Sequence, residues 1–101
     1  MSISRLRVSH RQTLQELGTS AVYLFGSRAQ GQEGILSDYD YAVLMNERHG
    51  RGDETYFRLY DLFSEISPRS HENDVIDIVF LREAGLELRF HVVRYGVVLF
   101  D

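Results

Sequence analysis

The stretch that decides the reading is Ala21-Val22-Tyr23-Leu24-Phe25-Gly26-Ser27-Arg28, followed after a polar interval by Ser37-Asp38-Tyr39-Asp40-Tyr41-Ala42-Val43-Leu44-Met45. Ala21–Phe25 is a short apolar run rich in strand formers, and Gly26 closes it, so it reads as a strand. A glycine there permits a tight turn and lets a ligand approach the backbone closely. The Gly26–Ser37 interval reads as a loop. If its first residues turn helical, the exposed amides add up to an anion site, with the Ser27 hydroxyl as a further donor and Arg28 as a neutralising charge. Taken alone, Gly-Ser followed by Arg is also ordinary turn chemistry with a surface arginine.

Tyr39–Met45 reads as a second strand, with Asp38 and Asp40 at its head. The period of two places both carboxylates on one face and Tyr39 and Tyr41 on the other. Two such charges repel unless a cation lies between them. A hard divalent ion such as Mg²⁺ takes one or two carboxylates together with substrate phosphates. The competing reading is a solvated Ser-Asp turn before the strand. Asp77 shifts the balance. It lies in Val75-Ile76-Asp77-Ile78-Val79, and a carboxylate among apolar neighbours is expensive unless paired or bound to metal. An ion pair with one of the arginines is the alternative. Asp74 is three residues away, falls on the opposite side, and reads as a strand-entry residue. Gly-Ser followed ten residues later by Asp-x-Asp arises by composition alone in only on the order of a few chains per thousand.

Around this centre the chain reads as helices alternating with strands. Ile3, Leu6, Leu14 and Leu17 recur at helical spacing, with His10 and Thr13 in the same stripe, and Gly18 stops the pattern. Asn46–Gly52 is a polar loop, and Asp53 is placed to cap the next helix. That helix carries Tyr56, Leu59, Tyr60, Leu62, Phe63 and Ile66 on a broad apolar face and ends at Ser67-Pro68. Val75–Leu81 reads as a strand covered on both faces. Glu83–Tyr95 reads as a last helix with Ala84, Leu88, Val92 and Tyr95 on one stripe, stopped by Gly96, and Val97–Phe100 as an edge strand. The expectation is an α/β (α+β) fold, a small mixed sheet with helices packed on it, formed by a single domain over residues 1–101.

Composition narrows the chemistry. The 101 residues carry 11 Lys+Arg against 15 Asp+Glu, a net charge of -4, which argues against broad nucleic-acid binding. Every basic residue among the eleven is arginine, so no lysine nucleophile, Schiff base or P-loop lysine is available. There is no cysteine, which excludes disulfides, thiolate metal sites and thiol catalysis. No apolar run is long enough to span a membrane, and Met1–Val8 lacks the apolar core of a signal peptide. A cytoplasmic location is the default expectation. The four histidines are scattered without metal-ligand spacing, and Arg48, His49 and Arg51 read as a solvated basic loop.

Gly26-Ser27-Arg28-Ala29-x-Gly31, then Ser37-Asp38-x-Asp40, then an aspartate within an apolar strand, resembles the minimal nucleotidyltransferases of the polymerase-β superfamily. The likeness covers about Leu14 to Asp101. Tyr39 replaces the more usual small aliphatic residue between the aspartates, and its side chain is expected to face away from the carboxylates. The resemblance implies a nucleotidyltransferase fold in which Gly26 and Ser27 hold the triphosphate of a nucleotide, typically ATP. It implies that Asp38 and Asp40 bind two Mg²⁺ ions (Mn²⁺ being an alternative) and that Asp77 completes the metal cluster near the attacking hydroxyl. Arg28 is assigned to the triphosphate by inference. Members this short resemble the antitoxin of pairs whose toxin is a HEPN-domain RNase. That likeness implies transfer of AMP to a toxin tyrosine within a hetero-oligomer, with no direct nucleic-acid or membrane contact. Two alternatives stand beside it, namely a non-catalytic antitoxin that neutralises by binding and a small-molecule transferase of the aminoglycoside type.

Overall fold

Thr19–Phe25 (β1) and Tyr39–Met45 (β2) pair antiparallel at the centre of the sheet, running from Thr19 opposite Met45 to Phe25 opposite Asp40. The computed structural model describes residues 6–26, 39–50, 52–67 and 76–101. Val8–Glu16 (α1) precedes β1, Glu54–Ile66 (α2) connects β2 to Ile76–Phe80 (β3), and Leu86–Tyr95 (α3) leads into Val97–Phe100 (β4). The strand order is β3-β2-β1-β4. β3 lies parallel to β2, and β4 lies antiparallel to β1. A parallel neighbour needs a long crossover, and α2 supplies it. The mixed sheet with packed helices expected from the sequence is thus the observed architecture.

The two faces of the sheet are dressed unequally. Tyr39, Tyr41, Val43 and Met45 of β2, with Val22 and Leu24 of β1 and Ile76, Ile78 and Phe80 of β3, form one buried face. Leu14 of α1 and Leu59, Leu62, Phe63 and Ile66 of α2 close over it. The α2 residues recur every three or four positions, so one side of that helix is continuous core. Tyr41 stacks on Phe63 with ring centroids 4.1 Å apart and planes 3° from parallel. Burying a phenol requires a partner for its hydroxyl, and Tyr41 hydrogen-bonds Ser67 where α2 ends. The opposite face carries a smaller cluster of Ala42, Leu81 and Val92, flanked by Tyr23, Phe25, Leu44 and Leu88.

Local signals account for the element ends. Asp53 Oδ1 accepts a hydrogen bond from the Thr55 amide at 2.8 Å, and its other oxygen accepts one from His49 Nδ1 at 2.9 Å, so the expected cap of α2 is in place. Gly18 takes a φ of +82° just after α1, a conformation that costs other residues energy. His10 ties α1 to α2. Its Nδ1 accepts from the Arg7 amide at 3.1 Å, which leaves the proton on Nε2 to be donated to Glu65 at 2.8 Å.

Three expectations are corrected. The last helix begins at Leu86 rather than Glu83, because Leu81–Glu83 forms a 3-10 turn and Gly85 is extended at the N-cap; Ala84 therefore lies outside it. Tyr95 follows Leu88 and Val92 at helical spacing, but as the last residue of that helix it is 52% exposed rather than packed in the core. β3 is an edge strand whose Asp77 and Val79 are only half-buried, since α3 packs over β1 instead.

Candidate active site

β1 delivers Gly26 to the end of the sheet where β2 and β3 begin. Asp40 is opposite Phe25 across the antiparallel pair, and opposite Asp77 across the parallel pair. Alternation along the strands then fixes the faces. Tyr39 and Tyr41 turn into the core, at 1% and 0% exposure, while Asp40 and Asp77 are half-buried on the other side. The expectation that Tyr39 faces away from the carboxylates is thus met. Residues directly opposite on neighbouring strands present their side chains on one face side by side. Two residues 37 positions apart in the sequence therefore stand as a lateral pair.

Gly26 adjoins this pair. Its φ is +78°, and a Cβ added to it would collide with Asp40 Oδ2. The left-handed backbone favours glycine here, and any added Cβ would also have to displace the Asp40 carboxylate packed against the α-carbon. The sequence reading assigned Gly26 to phosphate and missed this second role, which only the β1–β2 register makes visible. Ser27, Arg28 and Asp38 lie outside the described residues. Among the described residues no group of three or more His, Asp or Glu gathers as a metal cluster; the expected third member is Asp38. Asp40 and Asp77 offer hard oxygen donors, the type a divalent magnesium ion takes, and the room left by Gly26 keeps the Asp40 carboxylate against the backbone. These residues fit such an ion.

A polar cleft of about 270 Å³ lined by Glu16, Leu17, Gly18, Asn46, Glu47 and His49 lies at the opposite end of the sheet. Gly18 precedes β1 and Asn46 follows β2, so the whole length of the strands separates it from the Asp40–Asp77 pair.

A Gly-ended strand, a strand headed by aspartate and a parallel neighbour carrying the second carboxylate meet a family model described as Polymerase beta, Nucleotidyltransferase, over residues 11–101. The chain belongs to that family. Solved structures agree with the assignment. The nucleotidyltransferase resembles a toxin–antitoxin complex with AMP-PNP at 28% identity and a TM-score of 0.66, covering 89% of this chain and 68% of that one. It resembles a mutant of the toxin–antitoxin pair MntA–HpeT at 27% identity and a TM-score of 0.64, covering 96% and 74%. The fold also matches, at 24% identity and a TM-score of 0.56, a complex described as tri-AMPylated Shewanella oneidensis HEPN toxin with MNT antitoxin, covering 92% and 71%. No curated protein is similar enough to count as a match. Among the described residues, no helix is long and apolar enough to cross a membrane.

Proposed function

We propose that this nucleotidyltransferase transfers AMP from ATP to a hydroxyl of a partner HEPN toxin, a tyrosine by preference, and so acts as its antitoxin. The observation that carries the reading is the placement of Asp40 opposite Asp77, with Gly26 packed on Asp40. Family membership supports the reaction class. The AMP-PNP in a related toxin–antitoxin complex supports the nucleotide and the kind of partner.

In this reading Gly26, Ser27 and Arg28 bind the triphosphate, the first two through backbone and hydroxyl donors and Arg28 through charge. Asp38, Asp40 and Asp77 form the metal-binding and catalytic set. When bound, two magnesium ions supply charge stabilisation to the attacking and leaving oxygens of an in-line displacement. The acceptor oxygen forms a bond to the α-phosphorus as the bond from that phosphorus to the bridging oxygen breaks, and pyrophosphate leaves. Asp77, half-buried on the edge strand, is assigned to take the hydroxyl proton of the acceptor. The site carries no lysine, so phosphate is handled by amides, Arg28 and the ions.

The test is incubation of the protein and its co-expressed toxin with ATP labelled at either the α- or the γ-phosphate. Label from the α-position alone should reach the toxin, depend on a divalent ion, and vanish in the Asp38→Asn, Asp40→Asn double variant. Full protection of cells by that double variant, with no label transferred by the wild type, would instead establish neutralisation by binding.

A further inference from the structure

The last turn of α3 lies at the same end of the sheet as the two carboxylates. Val97, the first residue of β4, pairs with Leu24, and Phe25 beside it is opposite Asp40. Gly96 sits so close to β1 that a Cβ there would lie 3.4 Å from Tyr23 Cβ. The face is shared as well. Asp40 and Ala42, two residues apart on β2, point to one face, and Ala42 packs with Val92 of α3. That cluster draws Tyr23 and Phe25 from β1 and Leu44 from β2, but no residue of β4, so α3 leans from β1 toward β2. Its flanks differ accordingly. His91 is half-buried, whereas Arg89 and Val93 on the other flank are exposed. Arg94, three residues beyond His91, belongs to the His91 flank. The side of α3 that carries His91 and Arg94 is therefore the one turned toward Asp40 and Asp77.

The Arg94 guanidinium lies 5.4 Å from the centre of the Tyr95 ring, and that ring meets the His91 ring at 5.2 Å. Among the described residues no carboxylate is within ion-pair distance of Arg94. Glu87 shares the flank but sits seven residues, about 10 Å, nearer the far end of the helix. The other described arginines are elsewhere. Arg7, Arg11 and Arg58 belong to the helices of the opposite face, while Arg48 and Arg82 are at the far end of the strands, where Arg82 donates to the Asn46 carbonyl at 3.1 Å. The chain has no lysine, so a phosphate chain in this site must draw its protein cations from arginine. We propose that Arg94 is a further triphosphate-binding residue, whose guanidinium donates to the β- and γ-phosphate oxygens and offsets the charge of the leaving pyrophosphate, with Tyr95 and His91 positioning it. The order of the strands favours this end of the substrate. Gly26 ends β1, the strand beneath α3, and Asp77 is two strands away at the edge, so the phosphate end and not the acceptor lies beside Arg94. A guanidinium fork also suits phosphate geometry. The inference rests on the nucleotide reading of the site given above.

The test is calorimetric binding of ATP and of inorganic triphosphate, each with magnesium, to the full chain, with circular dichroism confirming that each variant is folded. Arg94→Gln should weaken both ligands at least about tenfold, and by the same factor. Arg94→Lys should recover part of the loss, and Arg89→Gln on the other flank should change either affinity by less than about twofold. Tyr95→Ala should weaken both ligands less than Arg94→Gln does. Unchanged ATP affinity in Arg94→Gln overturns the proposal. So does a loss for ATP without one for triphosphate, which would assign Arg94 to the nucleoside, or an equal loss in Arg89→Gln, which would reduce the effect to overall charge. A raised KM for the toxin with ATP affinity intact would assign Arg94 to the acceptor and overturn it too. A wild type that binds neither ligand removes the nucleotide reading together with this one. A wild type that binds ATP through Arg94 yet transfers no AMP removes only the proposed reaction.

Discussion

Asp40 and Asp77 stand directly opposite each other on parallel strands, one central and one at the edge, although 37 positions separate them in the chain. Neither is part of the main core, so their conservative replacement should separate chemistry from stability. Asp77→Asn is expected to lower nucleotidyl transfer by about 10²-fold or more, judged against the loss of a comparable transition-state group. Thermal unfolding should move less than the transfer rate, since Asn keeps the size and hydrogen-bonding shape of Asp at this half-buried position. Equal rates of label transfer by the variant and wild type would remove Asp77 from the reaction.

Gly26→Ala should damage both properties together. Its left-handed φ penalises a Cβ by about 1–2 kcal/mol, and the added atom pushes on the Asp40 carboxylate. A lowered urea midpoint with an unchanged slope, accompanied by a fall in transfer rate, is the expected pattern. A variant that is destabilised yet fully active would show that Asp40 tolerates displacement.

The Tyr41–Phe63 stack joins the central strand to α2 where both are fully buried. Phe63→Ala should cost about 3–5 kcal/mol, through lost transfer energy and the remaining cavity. Phe63→Leu should cost markedly less, since it keeps most of the volume but forfeits the stack. Chemical denaturation of the two variants measures the difference.

The Asp53 cap carries a defined acid response. Its carboxyl is held below the ordinary value of 3.8, first by the hydrogen bond from His49 and then by that from the Thr55 amide. A pKa depressed in the folded state gives stability that is present above the unfolded value and lost as pH falls through the folded one. The melting temperature of the wild type should therefore drop more steeply below pH 3.8 than that of Asp53→Asn, which keeps an N-cap acceptor but cannot titrate there. Parallel acid profiles would show that the cap contributes nothing pH-dependent.

The elements were readable because their signals are local. Gly18 after α1, Asp53 before α2, and the alternation of Asp40 against Tyr39 and Tyr41 each announce themselves within a few residues. Asp77 was also identifiable, as a charge among apolar neighbours, but its partner was not, because only the β2–β3 register puts it beside Asp40. The same limit hid the contact between Gly26 and Asp40 and the bond from His10 to Glu65, 55 positions apart. The start of α3 was misplaced because Glu83 and Ala84 favour helix locally, whereas the turn at Leu81–Glu83 and the extended Gly85 delay it. The exposed apolar residues Leu86, Phe90 and Val93 of α3 were not legible for a related reason. A helix apolar on two sides has no single face for periodicity to select.

The β2–α2–β3 crossover also carries a consequence for timing. The two carboxylates become neighbours only after some three dozen intervening residues have folded back and a non-local parallel pairing has closed, the kind of contact that forms slowly. A nascent or locally unfolded chain can hold Gly26 and Asp40 in a hairpin yet lack Asp77 beside them. In the proposed mechanism, transfer is thereby withheld from incomplete molecules, because the carboxylate pair assigned to it is completed only in the step that closes the sheet.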